Sequence, residues 1–225
     1  MATQTAPPPA GGTTRMQAEP FLERVVAWIN AHRQAAAWIG AAVVVALVLF
    51  VWTLSTNRRS EEIASRELQG ARFAFENENL PLAASELARI IENYSGTNAA
   101  QQGRLLLAQV RLLQGQPQQA VEVLRDFAPS AGRAFRAQAY GLLGAAYENL
   151  GRPREAAEAY QEGAGAARLD FMKVQMLIDA GRAWTIVADT AKAMATYRLI
   201  IDDFPKEGSA TEAKVRLGEL TRGTL

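Results

Sequence analysis

Three different residue types recur at one interval in this chain, and that interval constrains the fold more than any other feature. Asn79, Gly115 and Gly151 stand 36 residues apart; so do Pro81, Pro117 and Pro153, and so do Ala84, Ala120 and Ala156. A fixed period of a few tens of residues marks stacked supersecondary units, each too small to bury its apolar face alone. Each trio reads as one device: a residue tolerant of left-handed backbone ends a helix, Pro opens the next, and a small Ala lets the two helices approach closely. Between these marks Ala, Leu, Glu, Gln and Arg dominate, which favours helix, while β-branched runs are confined to Val43 to Val45 and a few pairs. The expected fold class is all-α.

Composition removes most catalytic chemistry. With no Cys there is no disulfide, thiolate nucleophile or thiolate-bound metal, and His32 is the only histidine. Histidine acid/base systems and multi-His metal sites are therefore excluded, and no enzyme activity, cofactor, metal or small-molecule substrate is expected. The acid pairs Glu61/Glu62 and Asp202/Asp203 read as solvated carboxylates at helix ends. Gly163 and Gly165 lack the preceding strand that a phosphate-cradling loop requires. The formal net charge is +1, and no basic cluster exceeds Arg58 with Arg59, so nucleic acid is not an expected partner.

Between Arg33 and Arg58 lie 24 residues without a charge. About 20 apolar residues span a hydrocarbon core, and residues 35–55 are read as a single transmembrane helix, with Trp38 and Trp52 near headgroup level. Ahead of it, residues 1–16 are rich in Pro, Gly, Thr and Ala and read as a disordered tail. Residues 17–34 read as an amphipathic helix with Phe21, Leu22, Val25, Val26, Trp28 and Ile29 on its apolar face. Arg58, Arg59, Arg66 and Arg72 after the span, counted by the positive-inside rule, place the larger domain in the cytoplasm.

Residues 60–222 carry the repeats. The third unit runs Tyr140, Leu143, Gly144, Tyr147, Gly151, Ala156, Tyr160, and these intervals resemble the tetratricopeptide repeat signature. A fourth unit has Leu177, Ala180, Gly181, Trp184, Ala193, Tyr197 and the terminal Pro205, shifted by one residue. The second keeps Leu107, Ala108, Ala120 and Leu124 with Arg111 at an aromatic position; the first is the most degenerate, with Arg72 at the small-residue position. The resemblance implies an α-solenoid of about four helix pairs and a C-terminal capping helix. The pairs fall at 60–78 with 81–94, 98–114 with 117–127, 132–150 with 153–167, and 171–187 with 191–203. The capping helix, 210–220, is introduced by Ser209 and Glu212 at capping-box spacing.

In that family the first helix of each pair lines a peptide-binding groove. Carried over, the groove positions are Gln69, Phe73 and Asn77 in the first unit and Gln102, Gln109 and Leu112 in the second. The third gives Gln138, Glu148 and Asn149, and the fourth Gln175, Arg182 and Thr185. This surface is amide-rich and nearly neutral, suited to backbone hydrogen bonding with a peptide. With Arg182 as its one basic residue, it does not fit a clamp for a terminal carboxylate.

The order of amphipathic helix, one span and degenerate repeats is similar to the bacterial YfgM-like family of ancillary Sec translocon subunits. The similarity runs from FLERVVAWINAHRQAAAWIGAAVVVALVLFVW into the first repeats. It implies the inner membrane, repeats on the periplasmic side, and other proteins as partners: translocon subunits, chaperones or secreted clients. A second reading of the residues is a structural or regulatory anchor that recruits a partner protein to the membrane, facing the cytoplasm.

Overall fold

The structure, a computed structural model, describes Trp28 and residues 31–221. The expected tail over 1–16, and the amphipathic segment 17–34 apart from Trp28 and 31–34, lie outside the described residues. The chain divides into one unit up to Leu54 and a second from Ser55 onward.

In the first unit, the part of α1 (Arg33–Glu76) up to Leu54 leaves Val43, Val44, Val45, Leu47, Val48, Leu49 and Phe50 each more than half exposed. The expected span is not returned: among the described residues no helix is long and apolar enough to cross a membrane. Side chains at 36, 39, 40, 51 and 53–55 lie outside the described set, and the longest unbroken described apolar stretch is the ten residues 41–50. Ten residues of helix rise about 15 Å, half of a hydrocarbon core.

The second unit is a run of antiparallel helix pairs. The remainder of α1 is followed by α2 (Leu80–Asn93), α3 (Asn98–Leu113), α4 (Pro117–Leu124) and the short α5 (Phe127–Ser130). Then come α6 (Arg136–Asn149), α7 (Pro153–Ala166), α8 (Asp170–Ile186), α9 (Thr190–Asp203) and α10 (Ala210–Leu220). Each helix from α6 onward packs on the next, as expected of stacked repeats. Pro117 and Pro153 occupy the first helical position, where the missing N–H has no partner to lose.

All four pairs turn on the same backbone motif. Glu78, Gly115, Gly151 and Ala188 have φ of 59, 68, 68 and 58°. The N–H of each following residue reaches five residues back: Asn79 to Ala74, Gln116 to Arg111, Arg152 to Tyr147 and Asp189 to Trp184, at 2.8–3.0 Å. This double-bonded ending satisfies carbonyls that the last helical turn leaves free.

The motif corrects the first repeat by one residue. The left-handed position is Glu78, and Asn79 is instead the cap of α2, its side chain accepting from the Leu82 N–H at 3.2 Å. The buried small residue is Ala71, fully enclosed, where Arg72 was expected; likewise Ala83, rather than Ala84, is the fully enclosed alanine of α2. The small-residue positions are thus Ala71, Ala108, Gly144 and Gly181, and the sequence period alternates between 37 and 36.

Three further expectations change. Ser209 has helical backbone angles and makes no side-chain cap, so the Ser209–Glu212 capping box is absent. The helix expected over 117–127 breaks at Arg125–Asp126, because Pro129 has no N–H to return to the Arg125 carbonyl. Glu61 is not a solvated acid: its carboxylate accepts the Asn98 and Ala99 N–H groups at 2.7 and 3.0 Å, capping α3 beside Thr97. An anionic cap at a helix N-terminus answers both the free donors and the helix dipole.

The core lies along the contacts between helices. Gly144 faces the ring of Tyr160, and Gly181 faces that of Tyr197. The corresponding pairs in the first two repeats are Ala71 with Leu87 and Ala108 with Leu124, each pair sharing one buried cluster. The largest ring thus meets the smallest residue.

Candidate peptide-binding groove

The first helices of successive pairs place their side chains over one hollow of about 380 Å³ between α1, α3 and α6. Its polar lining is Arg72, Gln102, Gln109 and Gln138, and its apolar lining includes Leu105, Leu106 and Phe135. Leu105 is buried and forms a floor, while the glutamines are half-buried or exposed. Arg72 Nη2 donates to Gln102 Oε1 at 2.7 Å, which orients one amide and holds a positive charge at the rim. Each amide offers two donors and an acceptor, so the set can pair with both the N–H and C=O groups of a peptide backbone.

The hollow brings together three of the expected residues, Gln102, Gln109 and Gln138. Gln69 and Phe73 on α1 and Asn77 just past its end are exposed and do not line it; Asn77 donates instead to the Phe73 carbonyl at 2.7 Å. The one-residue shift in the first repeat rotates α1 by a helical step, bringing Arg72 to the rim. The sequence signal that locates Arg72 is the spacing of 37 between Ala71 and Ala108. Leu112 packs against the core cluster between α3 and α6.

In the third and fourth repeats the expected groove residues are tied to the scaffold. Tyr160 Oη donates to Glu148 Oε2 at 2.8 Å, and Arg182 Nη2 donates to the two Glu148 oxygens at 3.1 and 3.2 Å. Arg182 also pairs with Asp179 at 3.2 Å. Burial, then the hydrogen bond to Glu148, pushes the Tyr160 hydroxyl above its usual range, and burial raises the Asp179 carboxyl despite Arg182. The basic residue that the sequence placed in the groove is therefore engaged by two carboxylates. Asn149 and Thr185 donate to the Ala145 and Gly181 carbonyls of their own helices at 2.8 Å. Gln175 borders a second hollow of about 480 Å³ whose walls include Gly141, Ala145, Phe171, Met176 and Asp179.

The remaining signature residues pack. Tyr197 and Trp184 are among the largest fully buried side chains, Tyr160 and Leu143 are buried, and Ala120, Ala156 and Ala193 are fully enclosed. Tyr140 and Tyr147 border the clusters, and Lys192 Nζ lies 4.0 Å from the Trp184 ring centroid. Among the described residues no group of three His, Asp or Glu is placed to hold a metal ion.

Solved structures share this architecture. The nearly identical TPR-like repeats of a Podosopora anserina protein superimpose with a TM-score of 0.55 at 18% identity, covering 71% of this chain and 87% of that one. A tetratricopeptide repeat protein from Parabacteroides merdae gives 0.58 at 13% identity, covering 73% and 61%. The MamA protein gives 0.53 at 18% identity, covering 72% and 88%. At these identities the likeness establishes the fold alone. No curated protein matches the chain by sequence. The profile of the tetratricopeptide repeat-like domain matches residues 55–180, more than half of the chain. With the four repeated helix endings, the small-residue contacts and the solenoid packing, that match shows that the chain belongs to the tetratricopeptide repeat-like domain family, whose fold is a protein-interaction scaffold.

Proposed function

We propose that this chain is a membrane-tethered protein-binding module whose repeats hold an extended or helical segment of a partner in the hollow of Arg72, Gln102, Gln109 and Gln138. The observation carrying it is that hollow: amides above a Leu105 floor, with no catalytic group among its lining residues. Hydrogen bonding to backbone tolerates many side chains, as a scaffold or chaperone for varied clients requires.

Tethering rests on two observations. The sequence has 24 uncharged residues between Arg33 and Arg58, and the described part of that run is a helix apolar on every side and left uncovered. Exposed apolar surface on this scale marks a membrane or an interaction surface. Residues 35–55 anchor the chain in the bacterial inner membrane, and the layout supports repeats on the periplasmic side, receiving secreted proteins near the translocon. Arg58 and Arg59 favour the second reading, a cytoplasm-facing anchor that recruits a partner.

Alkaline phosphatase fused to the C-terminus separates the two, since that reporter is active only after export. An inactive fusion with an active cytoplasmic reporter at the same site overturns the periplasmic reading. Affinity for a permanently unfolded model chain then separates a chaperone from a dedicated anchor, which ignores unfolded protein. Gln109→Ala with Gln138→Ala weakens that affinity if the groove is the site.

A further inference from the structure

Arginines scattered through the sequence gather at one edge of the third and fourth repeats. Arg133 precedes α6, Arg136 begins it, and Arg168 lies in the junction between α7 and α8. With Gly165, Ala166 and Ala167 they line a hollow of about 410 Å³. No lining residue is acidic, and none is shared with the amide-lined groove. The wall is kept open by small residues: a Cβ at Gly165 would meet nothing within 4 Å.

These guanidinium groups are little used by the fold. Among the described residues no ion pair involves any of them. Arg136 donates to the Ala131 carbonyl at 3.1 Å, and among the described residues no side-chain hydrogen bond engages Arg133 or Arg168. Elsewhere in the repeats Arg152, Arg182 and Arg216 are each paired with a carboxylate. Glu162 borders the adjoining hollow together with Arg136.

We propose that this hollow is a second docking site, separate from the groove, that takes an acidic segment of a partner protein. A guanidinium presents forked donors matched to a carboxylate, and the three here remain available to an incoming anion. The recess between two repeats admits a Glu or Asp side chain from a flexible peptide, whereas a phospholipid surface is broad and meets protruding charge. The site does not depend on the groove reading or on membrane orientation.

The test uses the full chain in detergent micelles and a fluorescein-labelled eight-residue peptide of alternating Glu and Ala, with its Gln counterpart as control. Fluorescence anisotropy is expected to show binding of the Glu peptide, weakening with salt, and none of the Gln peptide. The triple variant Arg133→Ala, Arg136→Ala, Arg168→Ala is expected to bind about tenfold more weakly or worse. Arg133→Ala with Arg168→Ala keeps the Arg136–Ala131 bond and guards against misfolding; it too must weaken binding, while Arg198→Ala, an exposed arginine of α9 outside both hollows, must not. Equal binding of the Glu and Gln peptides, or unchanged affinity in the triple variant, overturns the site. So does a triple variant that keeps the peptide but loses only vesicles containing phosphatidylglycerol, which assigns the arginines to lipid. Failure of the groove reading shows instead in the unfolded-chain measurement with the glutamine variants.

Discussion

Gly144→Ala adds one methyl group at one of the two tightest contacts between paired helices. A Cβ there would lie 2.6–2.8 Å from Cε1, Cδ1 and Cζ of Tyr160. Carbon atoms pack best at about 3.5–4.0 Å, so the overlap is about 1 Å against the face of a rigid ring. Tyr160 is 5% exposed and its hydroxyl is bonded to Glu148, so the ring has little room to retreat. Overpacking costs about 1–3 kcal/mol, an overlap of about 1 Å against a held ring puts this one at about 2–3, and the better helix propensity of Ala returns about 1. A net loss of about 1–2 kcal/mol lowers the melting temperature by about 2–8 °C for a chain of this size. The first two repeats supply the compensating arrangement, Ala71 with Leu87 and Ala108 with Leu124. Tyr160→Leu alone leaves a void and removes the Glu148 bond. Gly144→Ala combined with Tyr160→Leu is therefore expected to lose less than the two single changes added together. Thermal unfolding followed by circular dichroism on all three variants measures that coupling. Wild-type melting for Gly144→Ala, or strict additivity in the double variant, refutes the assigned contact.

Ala188→Gly relieves a left-handed backbone that costs an L-residue about 1–2 kcal/mol, so it is expected to raise the urea midpoint, and Glu78→Gly likewise. Tyr160→Phe removes the hydrogen bond to the Glu148 side chain and is expected to cost about 1–2 kcal/mol in the same titration. Asp179 sets a pH dependence. Its carboxyl is raised in the folded chain, so the folded state binds the proton more tightly, and its contribution to stability falls as pH rises from the unfolded to the folded value. Asp179→Asn is expected to flatten the fall in melting temperature across that acidic window; an unchanged profile would show that Asp179 does not carry it.

The fold was legible because its cause is local and repeated. Gly115 and Gly151 end helices where left-handed backbone is required, Pro117 and Pro153 open the next ones, and both facts are written in residue type. From α2 onward the helix bounds followed to within a few residues, whereas the helix expected to begin at residue 60 is the end of α1. The first repeat escaped because Glu78 occupies a left-handed position that composition assigns to Asn79. That ambiguity is one residue wide, yet one residue on a helix is a turn of about 100°, enough to move Arg72 to the groove rim and Phe73 away from it. Arg111, odd for an aromatic position, is bonded to Gln114 and Gln116 at the turn, a role no spacing announces.

The sequence by itself determined the helices, their turns and the repeat, because propensity, Gly and Pro act over a few residues. Tertiary structure alone decided which charges are spent and which remain available. Glu148 and Arg182 lie 34 residues apart and satisfy each other, while Arg133, Arg136 and Arg168 converge with no acid among the residues lining their hollow. Pairing across repeats depends on the stacking of whole helices, and no local pattern carries that distance.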